Sequence, residues 1–254
     1  MGQIAGETKA HLVRWLIHLR REPYSMAFNL VQPVILLIFM GGAFQRVGDW
    51  VGGGDYRAYL LPGVLGLTVF GNSMGGGIPL LFDRENGLLQ RLMATPITRS
   101  SILLGRFLAV HVNTVIQCLL LIILALLFGI RIATGVFGVF TLLFIGLLLG
   151  FGVTIISLLL PFVLENHGSF FAIIGLTALP LTFLSSAFVP LDSLPVWMRG
   201  AAWVNPMTYA VDGMRGLILV GWDGALVLRV ILPLLLFDGV VYWWGSRILH
   251  KHMA

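Results

Sequence analysis

The sequence is poor in charge. Only 11% of its 254 residues are Asp, Glu, Lys or Arg, where a soluble domain carries about 25%. In their place 58% of residues are hydrophobic, and the mean hydropathy is +0.95. That balance excludes an ordinary water-soluble domain and predicts one polytopic membrane domain over residues 1–254. Cysteine is nearly absent: Cys118 stands alone in an apolar run, has no intramolecular disulfide partner, and reads as a small core residue. Lysine occurs only as Lys9 and Lys251, and neither lies in the G-x-x-x-x-G-K-[ST] setting that cradles phosphates. No nucleotide site, and no cofactor bound by this chain, is therefore expected. H-E-x-x-H does not occur, and Ser157, Ser185, Ser186 and the histidines form no catalytic or metal-binding pattern. The 16 Lys and Arg are spread over short loops with no basic face, which argues against a nucleic-acid partner. Residues 1–26 are polar and basic, so no cleavable signal peptide is expected. No internal repeat is visible, which weakens a secondary transporter built from inverted repeats.

What is present is hydrophobic length. Six apolar runs, at about 27–44, 58–82, 107–130, 135–164, 169–190 and 225–246, predict an all-α protein with six transmembrane helices. An even number of spans puts both termini on one side. The loops of that side, including 1–26 and 83–106, carry ten Lys and Arg against five on the other. The excess places both termini in the cytoplasm of a cell (inner) membrane.

The polar exceptions carry the information. In the segment 7–21, Leu12, Trp15, Leu16 and Leu19 recur at helical spacing, with His11, Arg14, His18 and Arg21 on the other side. This predicts an amphipathic helix at the membrane interface, stopped by Glu22-Pro23. The loop 83–106 is charged yet periodic. Gly87 breaks it from the second span, Leu88 and Leu92 stack at i, i+4 as do Leu89 and Met93, Thr95-Pro96 stops the turn, and Ser100 or Ser101 caps the third span. Such a shaped knob suits a groove on another protein. Between the fifth and sixth spans, Pro190, Pro195 and Pro206 punctuate a stretch rich in Trp197, Trp203, Tyr209 and Trp222. Helices over Val196–Val204 and Thr208–Val220 would make a re-entrant hairpin, with Pro190, Trp197, Asn205, Pro206 and Tyr209 as outer-gate candidates. Asp212 and Arg215 at i, i+3 pair locally. Within the spans, Asn29, Gln32, Asn72, Asn113, Gln117 and Asp238 are candidates for a substrate path. The acid costs several kcal/mol in a bilayer unless it faces a partner or water, so Asp238 is either mechanistic or a hydrogen-bonded packing residue. The glycine run Gly71–Gly77 is a close-packing site or a bend.

Two stretches carry a family resemblance. Glu85-x-Gly87-Leu88-Leu89-x-Arg91-Leu92-x-Ala94-Thr95-Pro96-Ile97-x-Arg99, followed by Gly105-Arg106, resembles the first cytoplasmic loop of ABC-2 type export permeases, roughly E-x-G-T-L-E-R-L-x-x-T-P-I-x-R and then G-K. Leu88, Gln90 and Arg106 stand where that pattern has Thr, Glu and Lys. Pro190-Leu191-Asp192-Ser193-Leu194-Pro195 and Asn205-Pro206-Met207-Thr208-Tyr209-Ala210-Val211-Asp212-Gly213-Met214-Arg215 are similar to the segment these permeases carry between spans five and six. The drug- and lipid-export branch, with the daunorubicin-type permeases, looks nearest. The resemblance implies a coupling helix carrying Glu85, Gly87, Leu88, Leu89, Arg91, Leu92, Thr95, Pro96 and Arg99, held by a separate ATP-binding-cassette ATPase present in two copies. ATP and magnesium would sit on that ATPase. The N-terminal helix would lie against the same subunit, and a second permease copy would complete a homodimer. The function implied is export of an apolar or amphipathic substrate: a drug, a lipid or a lipid-linked glycan. An ion-gradient-driven transporter, fed by Asp238, and an intramembrane enzyme are the alternatives.

Overall fold

The computed structural model describes residues 2–21, 23–44, 55–88, 91, 94, 98–164 and 166–253, and no strand occurs among them. A chain this apolar has few choices. Where water is absent, a helix satisfies its own backbone groups and an open strand does not. The elements in order are α1 (Gly2–Arg21), α2 (Pro23–Ile35), α3 (Tyr56–Gly75), α4 (Ile78–Glu85), α5 (Arg99–Leu127), α6 (Gly135–Val163), α7 (His167–Phe183), α8 (Val196–Val204), α9 (Pro206–Arg215) and α10 (Gly224–Met253). Two π-helical segments, Leu36–Met40 and Gly216–Val220, continue α2 and α9.

Four stretches are long and apolar enough to cross a membrane: Tyr56–Glu85, Ser100–Leu127, Gly135–Val163 and Gly224–Ile248. Two more apolar helices, Ala27–Ala43 and His167–Phe183, are shorter. Seventeen residues rise about 26 Å, a little less than a hydrocarbon core of about 30 Å. The fifth apolar run, read as helical to Pro190, leaves the helix at Phe183; residues 184–189 form a turn and bends. The physical reason is a partner from outside the run. The Asn205 side-chain amide donates to Leu181 O (2.7 Å) and Leu184 O (2.8 Å), so the carbonyls freed at the end of α7 are satisfied without further helix. The glycine run in the second apolar run is an interruption: Gly76 and Gly77 form a turn between α3 and α4.

The core centres on α3, which packs against α5, α6 and α9. Leu60, Leu61 and Val64 of α3, Ile145 and Leu149 of α6, and Ala210 and Val211 of α9 are fully buried. Lipid is as apolar as leucine, so this packing is driven by close approach rather than by escape from water. Glycines permit that approach. A Cβ on Gly63 would lie 2.1 Å from the Ala187 carbonyl oxygen, and one on Gly66 would lie 2.8 Å from Val211. The short helices after Pro195 fall at Val196–Val204 and Pro206–Arg215. They part company in environment. Trp197 and Val204 of α8 are largely exposed, whereas Met207, Ala210, Val211 and Met214 of α9 are buried in the core.

Replacing Gly63 by Ala is expected to cost about 1–3 kcal/mol or more through overpacking. Gly175→Ala, where nothing lies within 4 Å of the new Cβ, is expected to be neutral. Thermal unfolding of the two variants in the same detergent checks the contrast.

Candidate functional site

Three consecutive charges end α4, and each is held by a different helix. Asp83 pairs with Arg14 of α1 at 3.6 Å. Arg84 donates from Nη1 to the carbonyls of Pro161 and Leu164 (2.6 Å for the latter), capping the C-terminal end of α6. Glu85 meets His167 Nδ1, at the first residue of α7, at 3.0 Å. The last carbonyls of a helix have no partner within it. Arg84 brings a charged donor to them, which is also the sign that the helix dipole favours. Beyond Glu85 the chain turns at Gly87, whose φ of +70° suits glycine. Arg91 N–H then donates to Gly87 O at 3.2 Å, one helical turn further on.

The other end of that loop is held by α1. The Glu7 carboxylate accepts from the Thr98 backbone N–H (3.0 Å) and from its hydroxyl (2.8 Å). Thr98, and not Ser100 or Ser101, is the N-cap of α5, because the helix starts earlier than the sequence suggests. Ser101 lies inside the first turn and donates to Thr98 O. The capping anion comes from Glu7, 91 residues away in sequence. His11 is a second correction. Placed by periodicity on the polar side of α1, it is 8% exposed. Gly105 explains this: a Cβ there would lie 2.5 Å from the His11 Cβ, so α1 crosses α5 at the one position without a side chain. Burial, and then the nearby Arg14, lower the His11 pKa below its usual 6.5, while Glu7 opposes them. Trp15 lies under two guanidiniums, Arg14 at 5.2 Å and Arg106 at 4.2 Å from the ring centre. Of the remaining α1 positions, Leu12 is half-buried, and the side chains of Leu16 and Leu19 lie outside the description.

Arg106 links this cluster to the helix break. Its Nε–H donates to Gly76 O at 2.8 Å. The Ser157 hydroxyl of α6 donates to Met74 O and accepts from Gly77 N–H (2.9 Å). A Ser hydroxyl committed to two backbone groups is not aimed at a base. Of the loop residues singled out by resemblance, Leu89, Leu92, Thr95 and Pro96 lie outside the described residues. Leu88 and Arg91 have helical backbone, and Arg99 opens α5. The network of Glu7, Thr98, Asp83, Arg84, Arg106 and Ser157 was not picked out in the sequence as a unit. The run Asp83-Arg84-Glu85 closing an apolar helix was its one visible signal.

A groove of about 840 Å³ runs between α2, α3, α5 and α7. Asn29, Gln32, Asn72, Asn113 and Gln117, chosen from sequence as path candidates, all line it. Asn72 Nδ2 donates to Gln117 Oε1 (3.1 Å), and Gln117 Nε2 donates to Asn113 Oδ1 (3.3 Å). Asp238 is not among its lining residues. Its carboxylate, 6% exposed, accepts from the Gly152 N–H of α6 at 3.0 Å, where α10 packs on α6. Of the outer-gate candidates, Asn205 is buried and also accepts from Met207 N–H as the N-cap of α9, with Pro206 in the first turn. Tyr209 donates to Trp203 O, Trp197 is 71% exposed, and Pro190 precedes a 3₁₀ turn, Leu191–Ser193. Arg215 pairs with Asp212 at 3.0 Å, donates to Ser186 O at 2.6 Å, and lies over the Tyr59 ring.

A family model described as ABC-2 type transporter matches residues 7–219, from Glu7 to Leu219. The chain belongs to the ABC-2 type transporter family. Among its relatives, the ycf38 transport permease of Pyropia yezoensis is 30% identical over 96% of this chain and 88% of its own length. That of Cyanophora paradoxa is 33% identical over 80% and 70%. The daunorubicin resistance ABC transporter permease protein DrrB1 of Streptomyces coeruleorubidus is 28% identical over 88% and 80%. This ABC-2 chain is thus a multi-pass membrane protein of a transport family, and the matched region contains the loop, its anchors on α1, the groove and α9.

Burial of His11 is expected to make the docking of α1 on this permease sensitive to acid. With a folded pKa below 6.5, His11 adds no cost above that value; below it the undocked helix binds the proton first and docking weakens. Amide exchange in α1, corrected for intrinsic rates, is expected to quicken from about pH 7.5 to about pH 5.5. His11→Gln should remove the difference.

Proposed function

We propose that this chain is the membrane-spanning subunit of an ATP-driven exporter. A separate ABC ATPase would hydrolyse ATP, with its magnesium, on the cytoplasmic side. The observation that carries the reading is the anchoring of the loop in a chain of this family. Both ends of the loop are tied to other helices: Thr98 to α1, and Asp83, Arg84 and Glu85 to α1, α6 and α7. A partner that moves the loop therefore pulls on α1, α6 and α7, and α7 borders the groove. Binding energy released on the ATPase shifts the permease only to the extent that the two conformations hold the loop differently.

In this reading the two shorter apolar helices complete six spans, thinning the bilayer slightly around them. Both termini face the cytoplasm, in keeping with the charge bias. Basic α1, with Trp15 on its inner side, lies at the interface against the ATPase. Helices α8 and α9 form a re-entrant hairpin. Its irregular backbone is supportable at depth because Asn205 and Arg215 satisfy the freed carbonyls. Two permease copies, as a homodimer, would meet two ATPase copies, with Leu88, Leu89, Leu92 and Arg91 entering each ATPase cleft. The mixed phenyl and amide lining of the groove supports an apolar or amphipathic cargo. The ion-gradient alternative leans on Asp238, whose carboxylate already holds Gly152.

A tagged chain is expected to co-purify with an ATPase subunit. Joint replacement of Leu89 and Leu92 by Asp should reduce permease-stimulated hydrolysis by about tenfold or more. Undiminished stimulation in that variant, or transport by the chain with no ATPase present, would overturn the proposal.

A further inference from the structure

The groove has a chemical gradient along its length. On α5 its lining runs from Arg106 to Gln117, a rise of about 16 Å. Arg106 and Trp15 stand at the loop end, the Asn72–Gln117–Asn113 ladder lies deeper, and Phe183 and Phe188 line the opposite end, next to the residues that Tyr56 and Asn205 hold. No carboxylate is found among the described lining residues. At the loop end one acid faces two guanidiniums: Asp83 pairs with Arg14 at 3.6 Å, and its charge also reaches Arg106. Among the described residues there, Asp83, Arg14 and Arg106 sum to one net positive charge. Arg106 uses one N–H on Gly76 O, of the five that a guanidinium offers.

A cationic head brought to that end would meet net positive charge among the described residues and no carboxylate in the groove lining. An anionic oxygen would meet an arginine in a site of low dielectric, where charge-assisted hydrogen bonds are strong. The amides beyond it can donate to ester or hydroxyl oxygens, and the phenyl rings beyond those suit hydrocarbon. We propose that the groove seats an amphiphile with an anionic phosphate or carboxylate head at Arg106 and its apolar chain toward Phe183 and Phe188, and that it discriminates against cationic amphiphiles. A molecule of the cytoplasmic leaflet already has this orientation, head at the loop end and chain toward the membrane interior. As a cargo assignment this rests on the exporter reading. As a binding site it stands on the permease alone, so it is tested without ATPase or ATP.

The test uses the full chain in phosphatidylcholine nanodiscs, with binding followed by tryptophan-to-pyrene energy transfer. The probes are pyrene-labelled phosphatidylglycerol, pyrenedecanoate, and a pyrene-alkyl trimethylammonium of matched chain length. At least one anionic probe is expected to bind about tenfold tighter than the cationic one. Preference for the phospholipid alone assigns the head to a bilayer phosphate, and equal binding of the fatty acid assigns it to any anionic amphiphile. Gln117→Leu should weaken the anionic probe. Phe28→Asp, at a rim position 74% exposed and so safe for folding, should erase or invert the preference. Equal binding of anionic and cationic probes overturns the proposal. So does an anionic preference that survives Phe28→Asp unchanged, because that marks general attraction of the basic loops and not the groove.

Discussion

A helix that breaks inside a bilayer frees backbone groups where there is no water to take them. The structure answers several helix breaks and helix ends with groups from elsewhere in the chain. At Gly76–Gly77 the partners are Ser157 and Arg106. At the end of α6 the partner is Arg84, and at the end of α7 it is Asn205. At the start of α5 it is Glu7. In the π-helical segment after α9, the carbonyls of Leu217 and Ile218 are taken by the Thr134 hydroxyl and the Ala133 N–H. Each such pair joins two elements far apart in sequence. The requirement to satisfy a few backbone groups thereby knits the bundle together.

The same pairs give the proposed mechanism its rigidity and its one soft point. From Asp83 to Glu85, α4 is held at its far end by α1, α6 and α7. At its near end it meets α3 through two glycines with no side chains of their own to wedge the turn. Arg106 touches the turn, the Trp15 ring and the groove at once. In the proposed exporter, displacement of the loop would turn α4 about Gly76–Gly77, and the loop end of the groove would widen or close.

Local pattern was legible in the sequence, and long-range pairing was not. The apolar runs, the break at Gly87, the helix at Val196–Val204 and the Asp212–Arg215 pair follow from spacing, hydrophobicity and turn chemistry. The convergence of Asn113, Gln117 and Asn72 was half legible: i, i+4 spacing puts the first two on one face of α5, while Asn72 joins them from another helix. Periodicity put His11 on the wrong side of α1, because the absent side chain that buries it belongs to Gly105, 94 positions on. The early end of α7 and the capping of α5 by Glu7 were hidden for the same reason. Asp238 shows why a lone intramembrane acid is an ambiguous signal: its partner is a backbone N–H, which no residue type announces.

In the proposed exporter the loop and the groove move as one system. Cys118, the one cysteine, is buried, so a Cys118→Ser chain carrying Asn113→Cys reports on the groove alone. Reconstituted with its ATPase, that chain should react with a membrane-impermeant thiol reagent at rates that differ about tenfold between nucleotide-free and ATP-bound states. Adding Arg84→Ala, which unfastens α4 from α6, should flatten the difference. Equal labelling in both states, with the ATPase still stimulated by the permease, would show that the groove does not follow the loop.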